Sequence, residues 1–158
     1  MGMQLNVPDH QYRDRAAREH RVRLWWTAYI LDRTCTSKIG LPVSIADDDI
    51  QVNLPSVDGA GSLDSGDFGD HEYELRSVGL SRITAMSTEQ IYGRRDYHNT
   101  FSQRVQTILK ALNKWMDELP ARFHLRTDSS SSLQENHVIH LHLRFNQVCV
   151  SSSRQPES

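Results

Sequence analysis

Helical periodicity from Asn99 to Leu119 constrains the fold of this chain more than any other sequence feature. Thr100 and Gln103 have the spacing of a capping box at its start, and Pro120 provides a stop. We therefore predict an amphipathic helix over these residues. Its apolar side chains fall within an arc of about 120° at 100° per residue: Phe101, Val105, Ile108, Leu109, Leu112, Trp115, Met116 and Leu119.

A longer helix is predicted near the start of the chain, from about Arg13 to Ile39. Its first part is charged, whereas apolar residues occur on nearly every side from Val22 to Leu31. A helix that is apolar all round is usually buried between other helices. Gly40 suits a left-handed C-cap, and Pro42 prevents the helix from continuing.

Two weaker helical patterns complete the predicted secondary structure. They cover about Leu75–Tyr92, which Gly79 and Gly93 interrupt, and about Leu133–Val150. No convincing alternation of apolar and polar residues predicts a strand. The predicted fold class is therefore all-α.

Charge is segregated along the chain. Nine acidic residues and no Lys or Arg lie between Ile39 and Leu75, which favours a surface connector. Within it, residues from about 56 to 70 are rich in Gly, Ser and Asp and predict a flexible loop. Ser151–Ser158 has no apolar residue and is predicted to be a disordered tail. We thus expect one domain over residues 1–150.

Composition excludes several classes of protein. The 158 residues carry 18 basic against 20 acidic side chains, which argues against nonspecific nucleic-acid binding by this chain. The longest apolar run, Ala28–Leu31, is too short to span a bilayer, and no secretory signal is visible. Cys35 and Cys149 cannot form a disulfide framework or a four-cysteine zinc site. Both are interpreted as small core residues, and we expect a soluble intracellular protein.

Enzymatic or metal chemistry has weak candidates. Asp47, Asp48 and Asp49 could hold Mg²⁺ in an all-α enzyme, but they precede an extended segment in which adjacent side chains diverge. A turn or a short helix beginning at these residues is the favoured interpretation. His137 and His140 lie three residues apart, yet two ligands make a weak site; His142 points elsewhere. We predict that these histidines are surface or partly buried residues and that the chain is not an enzyme.

Arginines in the first helix admit two interpretations. Five of them lie close together and could contact nucleic acid: Arg13, Arg15, Arg18, Arg21 and Arg23. Asp14 and Glu19 dilute this charge, and the arginines face different directions. A solvated face, or ion pairs between these arginines and the acidic connector, is the favoured interpretation.

A combined pattern resembles the middle homology region of fungal zinc-cluster transcription factors. A basic run leads to a Trp-Trp pair and a Tyr-x-Leu-Asp-Arg segment, then a Gly-x-Pro turn, then an acidic stretch that closes on Leu-Pro. Segments 112–120 and 140–146 also fit, so the resemblance covers most of residues 2–150. The residues that carry the motif are Trp25, Trp26, Tyr29, Asp32, Arg33, Gly40, Pro42, Asp47, Asp49, Leu54 and Pro55.

The resemblance implies structural roles for these residues. The two tryptophans would anchor the core of a large all-α domain, Asp32 and Arg33 would form a polar pair at the helix end, and Gly40 with Pro42 would turn the chain. Members bind DNA through an N-terminal cluster of six cysteines that holds two zinc ions. That cluster is absent from these residues, so no cofactor is expected in this chain.

The expected function is therefore regulatory. The resemblance implies a fragment, about half of a larger domain, cut short or continued through a wrong splice junction after Val150. The full-length protein would act in the nucleus and contact DNA through its N-terminal module. Its further partners would be a second copy or co-regulator proteins, and no association with a membrane is expected. The alternative is a helical protein–protein interaction module with no DNA role.

Overall fold

A computed structural model describes residues 5–6, 15–56, 70–93, 99–125 and 132–153. It contains four helices: α1 (Arg15–Ile39), α2 (His71–Tyr92), α3 (Phe101–Asp117) and α4 (Ser132–Ser153). Short 3-10 turns occupy Asp47–Asp49 and Ala121–Phe123. These described ranges contain no strand, which confirms the all-α prediction. The predicted flexible loop falls almost wholly on residues 57–69, which lie outside the described residues.

Helix α2 is the centre of the bundle, because α1, α3 and α4 all pack against it. Arg23 of α1 bonds to Glu74 near the start of α2. Near the other ends of the two helices, Ser37 of α1 and Thr88 of α2 line the same small cleft. Helix α4 runs in the same direction, since Tyr73 stacks on His137 and Ser87 bonds to Ser152. Helix α3 runs antiparallel. Its first turn contacts the end of α2 through Arg104 and Gln90, and its last turn contacts the start of α2 through Trp115 and Arg76.

The central position of α2 explains why its sequence pattern is weak. Its buried surface is largely made of small hydroxyl residues, so no apolar stripe marks one face. The Ser81, Thr84 and Thr88 hydroxyls donate to backbone carbonyls one turn earlier at 2.8–3.0 Å, which satisfies these polar groups inside the bundle. The buried hydroxyl residues are Ser77, Ser81, Thr84, Ser87 and Thr88.

Gly79 does not interrupt α2, contrary to the sequence prediction. A Cβ at this position would lie 3.4 Å from Nε1 of Trp115. That indole nitrogen donates to the Arg76 carbonyl at 3.1 Å. The glycine therefore lets the tryptophan of α3 lie close against the backbone of α2.

Local capping signals fix three helix ends. The predicted capping box of Thr100 and Gln103 is present at α3, and Asp70 accepts from two backbone N–H groups at the start of α2. Gly40 has φ +66°, the left-handed conformation predicted for the end of α1.

Two apolar clusters form the core. The larger joins α2, α3 and α4 around Leu80, Ile108, Leu112, Phe123 and Leu141. The smaller joins α1, α2 and the segment after α1: Val22, Trp26, Tyr29, Val52 and Val78.

The prediction that α1 is buried on all sides is wrong. Leu24 and Leu31 are 53% and 58% exposed, and Cys35, predicted to be a core residue, is exposed. Among the described residues, α2 and the chain that follows Gly40 cover only one side of the helix. Cys149 is half-buried against the larger cluster, which agrees with the prediction for that residue.

The predicted disordered tail begins too early. Helix α4 continues to Ser153, and Ser152 is completely buried. Its hydroxyl donates to the Val148 carbonyl at 2.7 Å and lies 2.7 Å from the Ser87 hydroxyl. Ser152 can be buried in the helix because its hydroxyl finds partners in Ser87 of α2 and in the Val148 carbonyl. The serine-rich composition of this segment does not reveal that contact. Residues 154–158 lie outside the described part.

Candidate functional site

The residues of the family motif meet where the chain turns back along α1. After Gly40, residues 43–56, here called the return segment, run antiparallel to the helix. The Ile45 carbonyl lies beside Arg33, the Asn53 carbonyl accepts from Trp26 Nε1 at 2.8 Å, and Ser56 bonds to Glu19. The segment is thus attached to α1 near both ends and in the middle.

Arg33 is the centre of the first attachment. Its side chain is only 2% exposed and donates to Asp32 at 2.6 Å, to the Ile45 carbonyl at 2.6 Å and to Asp47 at 2.7 Å. Asp32 also accepts from the backbone N–H of Ser44 at 3.3 Å and from the Ser44 hydroxyl. A planar guanidinium suits such a site because its donors reach several acceptors at once.

Tyr29 completes this group, which we call the arginine node (Tyr29, Asp32, Arg33, Ser44 and Asp47). The guanidinium carbon of Arg33 lies 4.1 Å from the centroid of the Tyr29 ring. The Tyr29 hydroxyl lies 3.0 Å from both carboxylate oxygens of Asp47, to which it donates. The predicted Asp32–Arg33 pair therefore exists, but Asp47 is the partner that joins it to the return segment.

Burial and charge set the protonation states in the node. Burial, together with the nearby Asp47 carboxylate, raises the pKa of Tyr29 to about 12, so the phenol stays a donor. Burial would raise the pKa of Asp32, but the hydrogen bonds from Ser44 and Arg33 outweigh it and lower that pKa. Burial would lower the pKa of Arg33, but its carboxylate partners raise it. Both of these shifts favour the charged forms of Asp32 and Arg33, and the node as a whole contains two carboxyl groups and one guanidinium.

A second polar network holds the other end of the return segment. Arg23 donates to Glu19 and to Glu74 of α2, each at 3.0 Å. Glu19 in turn accepts from the backbone N–H of Ser56 at 3.0 Å. Burial and the neighbouring Glu19 raise the pKa of Glu74 to about 7, although Arg23 opposes this shift. An arginine of α1 therefore pairs with the acidic connector, as predicted.

The remaining candidates for chemistry do not converge. Asp47–Asp49 form a short 3-10 turn, and only Asp47 enters the node. His137 stacks on Tyr73 with ring centroids 4.1 Å apart, while His140 Nδ1 lies 3.2 Å from the Tyr73 hydroxyl. Within the described ranges, no three His, Cys, Asp or Glu side chains could share a metal ion. The absence of a cofactor from this chain stays a prediction.

The structure separates the motif residues into two groups. Trp26 and Tyr29 are buried beside the return segment, Pro55 is buried at its end, and Trp25 is half-buried. Pro42, Asp49 and Leu54 are exposed outside the node. Sequence reasoning missed Ser44, Glu19 and Asn53. The i,i+4 spacing of Glu19 and Arg23 was available as a signal, whereas nothing local marks Ser44 or the Asn53 carbonyl.

Comparison with known proteins places the chain in a family. A sequence model of the fungal specific transcription factor domain matches residues 1–117. The match covers well over half of the 158 residues, and the chain belongs to this family. The node and the return segment both lie inside the matched region.

Curated relatives agree with this assignment. A transcriptional regulatory protein of Schizosaccharomyces pombe is 27% identical over 141 residues, which are 89% of this chain and 18% of the relative. An ABC-transporter-regulating transcription factor of Aspergillus fumigatus is 28% identical over 136 residues, covering 80% of this chain and 15% of the relative. The chain thus spans less than a fifth of the length of these relatives. No solved structure matches it significantly.

None of the helices in the described ranges is both long and apolar enough to cross a bilayer.

Proposed function

We propose that this chain is part of the regulatory middle domain of a fungal zinc-cluster transcription factor and acts in the nucleus. It regulates the output of a DNA-binding module elsewhere in the full-length protein, and zinc belongs to that module. The observation that carries this proposal is the arginine node. Four residues of the family motif, Tyr29, Asp32, Arg33 and Asp47, meet in one hydrogen-bonded structural element around the buried Arg33.

Electrostatics support a regulatory role over direct DNA contact by these residues. The net formal charge is −2, and several arginines are engaged with carboxylates. Arg23 pairs with Glu74, Arg33 with Asp47, and Arg122 with Asp70 and Glu72. Nonspecific DNA affinity depends on cations that neutralise phosphates. Arginines held in such pairs contribute little to it.

A helical interaction module with no DNA role is the second candidate. It is favoured by exposed apolar side chains on α4, where Ile139, Leu143 and Val150 are 48%, 62% and 54% exposed. Large exposed apolar patches mark interaction sites in soluble proteins. Both candidates are binding functions, and no enzymatic activity is proposed.

Two neighbouring carboxylates provide the test. In the full-length protein, Asp47→Asn removes the charge that Arg33 and Tyr29 hold, whereas Asp49→Asn changes an exposed side chain of the same turn. Transcript levels and promoter occupancy are measured for both variants at matched protein levels. We expect Asp47→Asn to change transcript levels severalfold with occupancy retained, and Asp49→Asn to match the wild type.

Three results would count against the proposal. Unchanged transcription in Asp47→Asn, despite a lowered melting temperature, would remove the regulatory role. Parallel loss of occupancy would place the node in the DNA-binding function instead. Sequencing of the transcript upstream of Met1 tests the zinc-cluster part, since a longer reading frame without six clustered cysteines contradicts it.

A further inference from the structure

Ser44 joins the return segment to the arginine node through two bonds to one carboxylate. Its backbone N–H donates to Asp32 at 3.3 Å, and its hydroxyl donates to the other oxygen of the same carboxylate. Both bonds lie at the surface, and Ser44 itself is exposed. The first attachment of the return segment therefore depends in part on the hydroxyl of an exposed residue.

The chain around Ser44 is accessible to a modifying enzyme. Residues 41–46 belong to neither a helix nor a strand, and Leu41, Pro42 and Ala46 are exposed together with Ser44. An enzyme that modifies a side chain must bind several residues on each side of it, which an exposed, irregular stretch allows.

Three consecutive carboxylates follow Ser44. The residues of the Asp47–Asp49 turn stand three, four and five positions after the serine, and all three are exposed. No Lys or Arg occurs between Ile39 and Leu75, and no other Ser or Thr in the sequence directly precedes such an acidic run at this spacing. Charge patterns around the hydroxyl contribute to the specificity of protein kinases. This pattern fits a kinase whose substrate-binding surface is basic.

A phosphate on Ser44 meets carboxylates as its nearest polar neighbours. It replaces the hydroxyl proton that Asp32 accepts and adds a charge of about −1.5 to −2 at pH 7. Both Nη atoms of Arg33 already donate, to Asp32, to Asp47 and to the Ile45 carbonyl, and the Arg33 Nε is buried. A phosphate beside aspartates disrupts a contact through repulsion, so the bonds between Ser44 and Asp32 are lost.

We propose that Ser44 is a phosphorylation site for an acid-directed protein kinase, and that phosphorylation detaches the first part of the return segment from α1. A bond forms between Ser44 Oγ and the γ-phosphorus of ATP. The bond from that phosphorus to the β–γ bridging oxygen breaks, ADP leaves with this oxygen, and the hydroxyl proton passes to a base of the kinase.

Detachment is confined to the start of the return segment. The Trp26 indole still donates to the Asn53 carbonyl at 2.8 Å, and the Ser56 N–H still donates to Glu19 at 3.0 Å. Residues 43–50 are therefore released while residues 51–56 stay in place. The inference rests on the proposed function only in its effect on transcription, since release is a property of this chain.

A kinase assay tests the site. The 158-residue chain is incubated with ATP and casein kinase II, an acid-directed kinase, and phosphate is mapped by mass spectrometry. We expect phosphate on Ser44 in the wild type. Asp48→Lys reverses one exposed charge outside the node and should slow this reaction about threefold or more. Phosphate on other residues only, or an equal rate in Asp48→Lys, would overturn the assignment.

Amide hydrogen exchange measures the detachment. After phosphorylation, we expect peptides over residues 43–50 to exchange about tenfold faster, while those over residues 51–56 are nearly unchanged. Kinase-treated Ser44→Ala is the control and should match the untreated variant. Unchanged exchange over residues 43–50 would overturn the proposal. Slower exchange would also overturn it, because the phosphate would then bind Arg33 and tighten the node.

Two variants of nearly equal size isolate the role of charge. Ser44→Asp is expected to melt about 4 °C lower than Ser44→Asn, a shift typical of one unfavourable contact in a chain of this length. In an Asp32→Asn background this difference should fall by about half or more, because the two sites interact directly. Equal melting of the two variants, or a difference that the background leaves intact, contradicts the repulsion.

Transcript levels separate this inference from the proposed function. If phosphorylation releases residues 43–50 but Ser44→Asp in the full-length protein leaves transcription unchanged, the regulatory role fails and the modification site stands. If Ser44 is not phosphorylated while Asp47→Asn alters transcription, only the present inference is removed.

Discussion

Tyr29 and Arg33 lie one helical turn apart on α1 and share one carboxylate, that of Asp47. The guanidinium stacks on the phenol ring at 4.1 Å, and both side chains bond to Asp47 at 2.7–3.0 Å. Asp47 in turn belongs to the return segment. The shared carboxylate therefore sets the position of that segment on the helix, and its removal affects two helical residues at once.

Arg33→Met is expected to lower the free energy of unfolding by about 2 kcal/mol. Breaking a buried pair costs about 3–5 kcal/mol when the remaining charge stays buried, but the Asp47 side chain is 43% exposed and is partly rehydrated. Urea unfolding followed by tryptophan fluorescence measures the difference. Asp49→Asn is the control and should stay within about 0.5 kcal/mol of the wild type. Equal stability of Arg33→Met and wild type would contradict a stabilising role for the node.

Glu74 is expected to make the protein less stable as pH rises. Its pKa is raised to about 7 in the folded protein from an ordinary value of 4.5, so the folded state binds more protons than the unfolded state between these values. The contribution of Glu74 is thus fully present below pH 4.5 and is lost as pH rises through 7. The measurement is the difference in unfolding free energy between wild type and Glu74→Gln from pH 4.5 to 8. Parallel pH profiles of the two proteins would contradict the expected loss of stability through Glu74.

Ser152→Ala is expected to destabilise the protein by about 1 kcal/mol, the usual net value of one hydrogen bond. The buried Ser87 hydroxyl loses its partner at 2.7 Å. Ser153→Ala is a close control. The Ser153 side chain is exposed, so this substitution is expected to leave the stability nearly unchanged. Thermal melts of both variants test the finding that α4 extends past Val150. Equal melting temperatures for the two would contradict it.

Gly40→Ala should cost about 1 kcal/mol, because a residue with a Cβ is strained at φ +66°. The cost is conformational rather than steric, since nothing lies within 4 Å of the added Cβ. Gly93→Ala is the matched control. Gly93 also ends a helix but has φ −64°, so alanine there is expected to be neutral or slightly stabilising. Chemical denaturation of both variants distinguishes the two cases, and equal effects would contradict the role of the left-handed conformation.

Regular periodicity and capping residues made most of the fold predictable. Helix α3 was predicted to within two residues at each end because its apolar arc and its capping box are both local signals. Helix α2 gave a weak pattern because three helices surround it and its buried positions carry Ser and Thr. Gly79 was interpreted as a break in α2 because the structural reason for a glycine there is not local. That reason is the close approach of Trp115, which lies 36 positions later in the chain.

The candidate site was predictable only in part. The family resemblance pointed to Tyr29, Arg33 and Asp47, and it also implied the Asp32–Arg33 pair. The roles of Ser44 and of the Asn53 carbonyl depend on how the return segment lies along α1, and no spacing rule encodes that path. The exposure of Leu24, Leu31 and Cys35 was missed for a related reason. When apolar residues occur around the whole circumference of a helix, as in α1, the pattern does not indicate which side other parts of the chain will cover.

The direction of the four helices has an electrical consequence. Because α1, α2 and α4 run one way and α3 the other, the helix macrodipoles do not cancel, and partial positive charge accumulates where the three parallel helices begin. Asp70, Glu72 and Glu74 lie at that end of α2, whereas Lys38 lies in the last turn of α1, so the side chains partly offset this polarity.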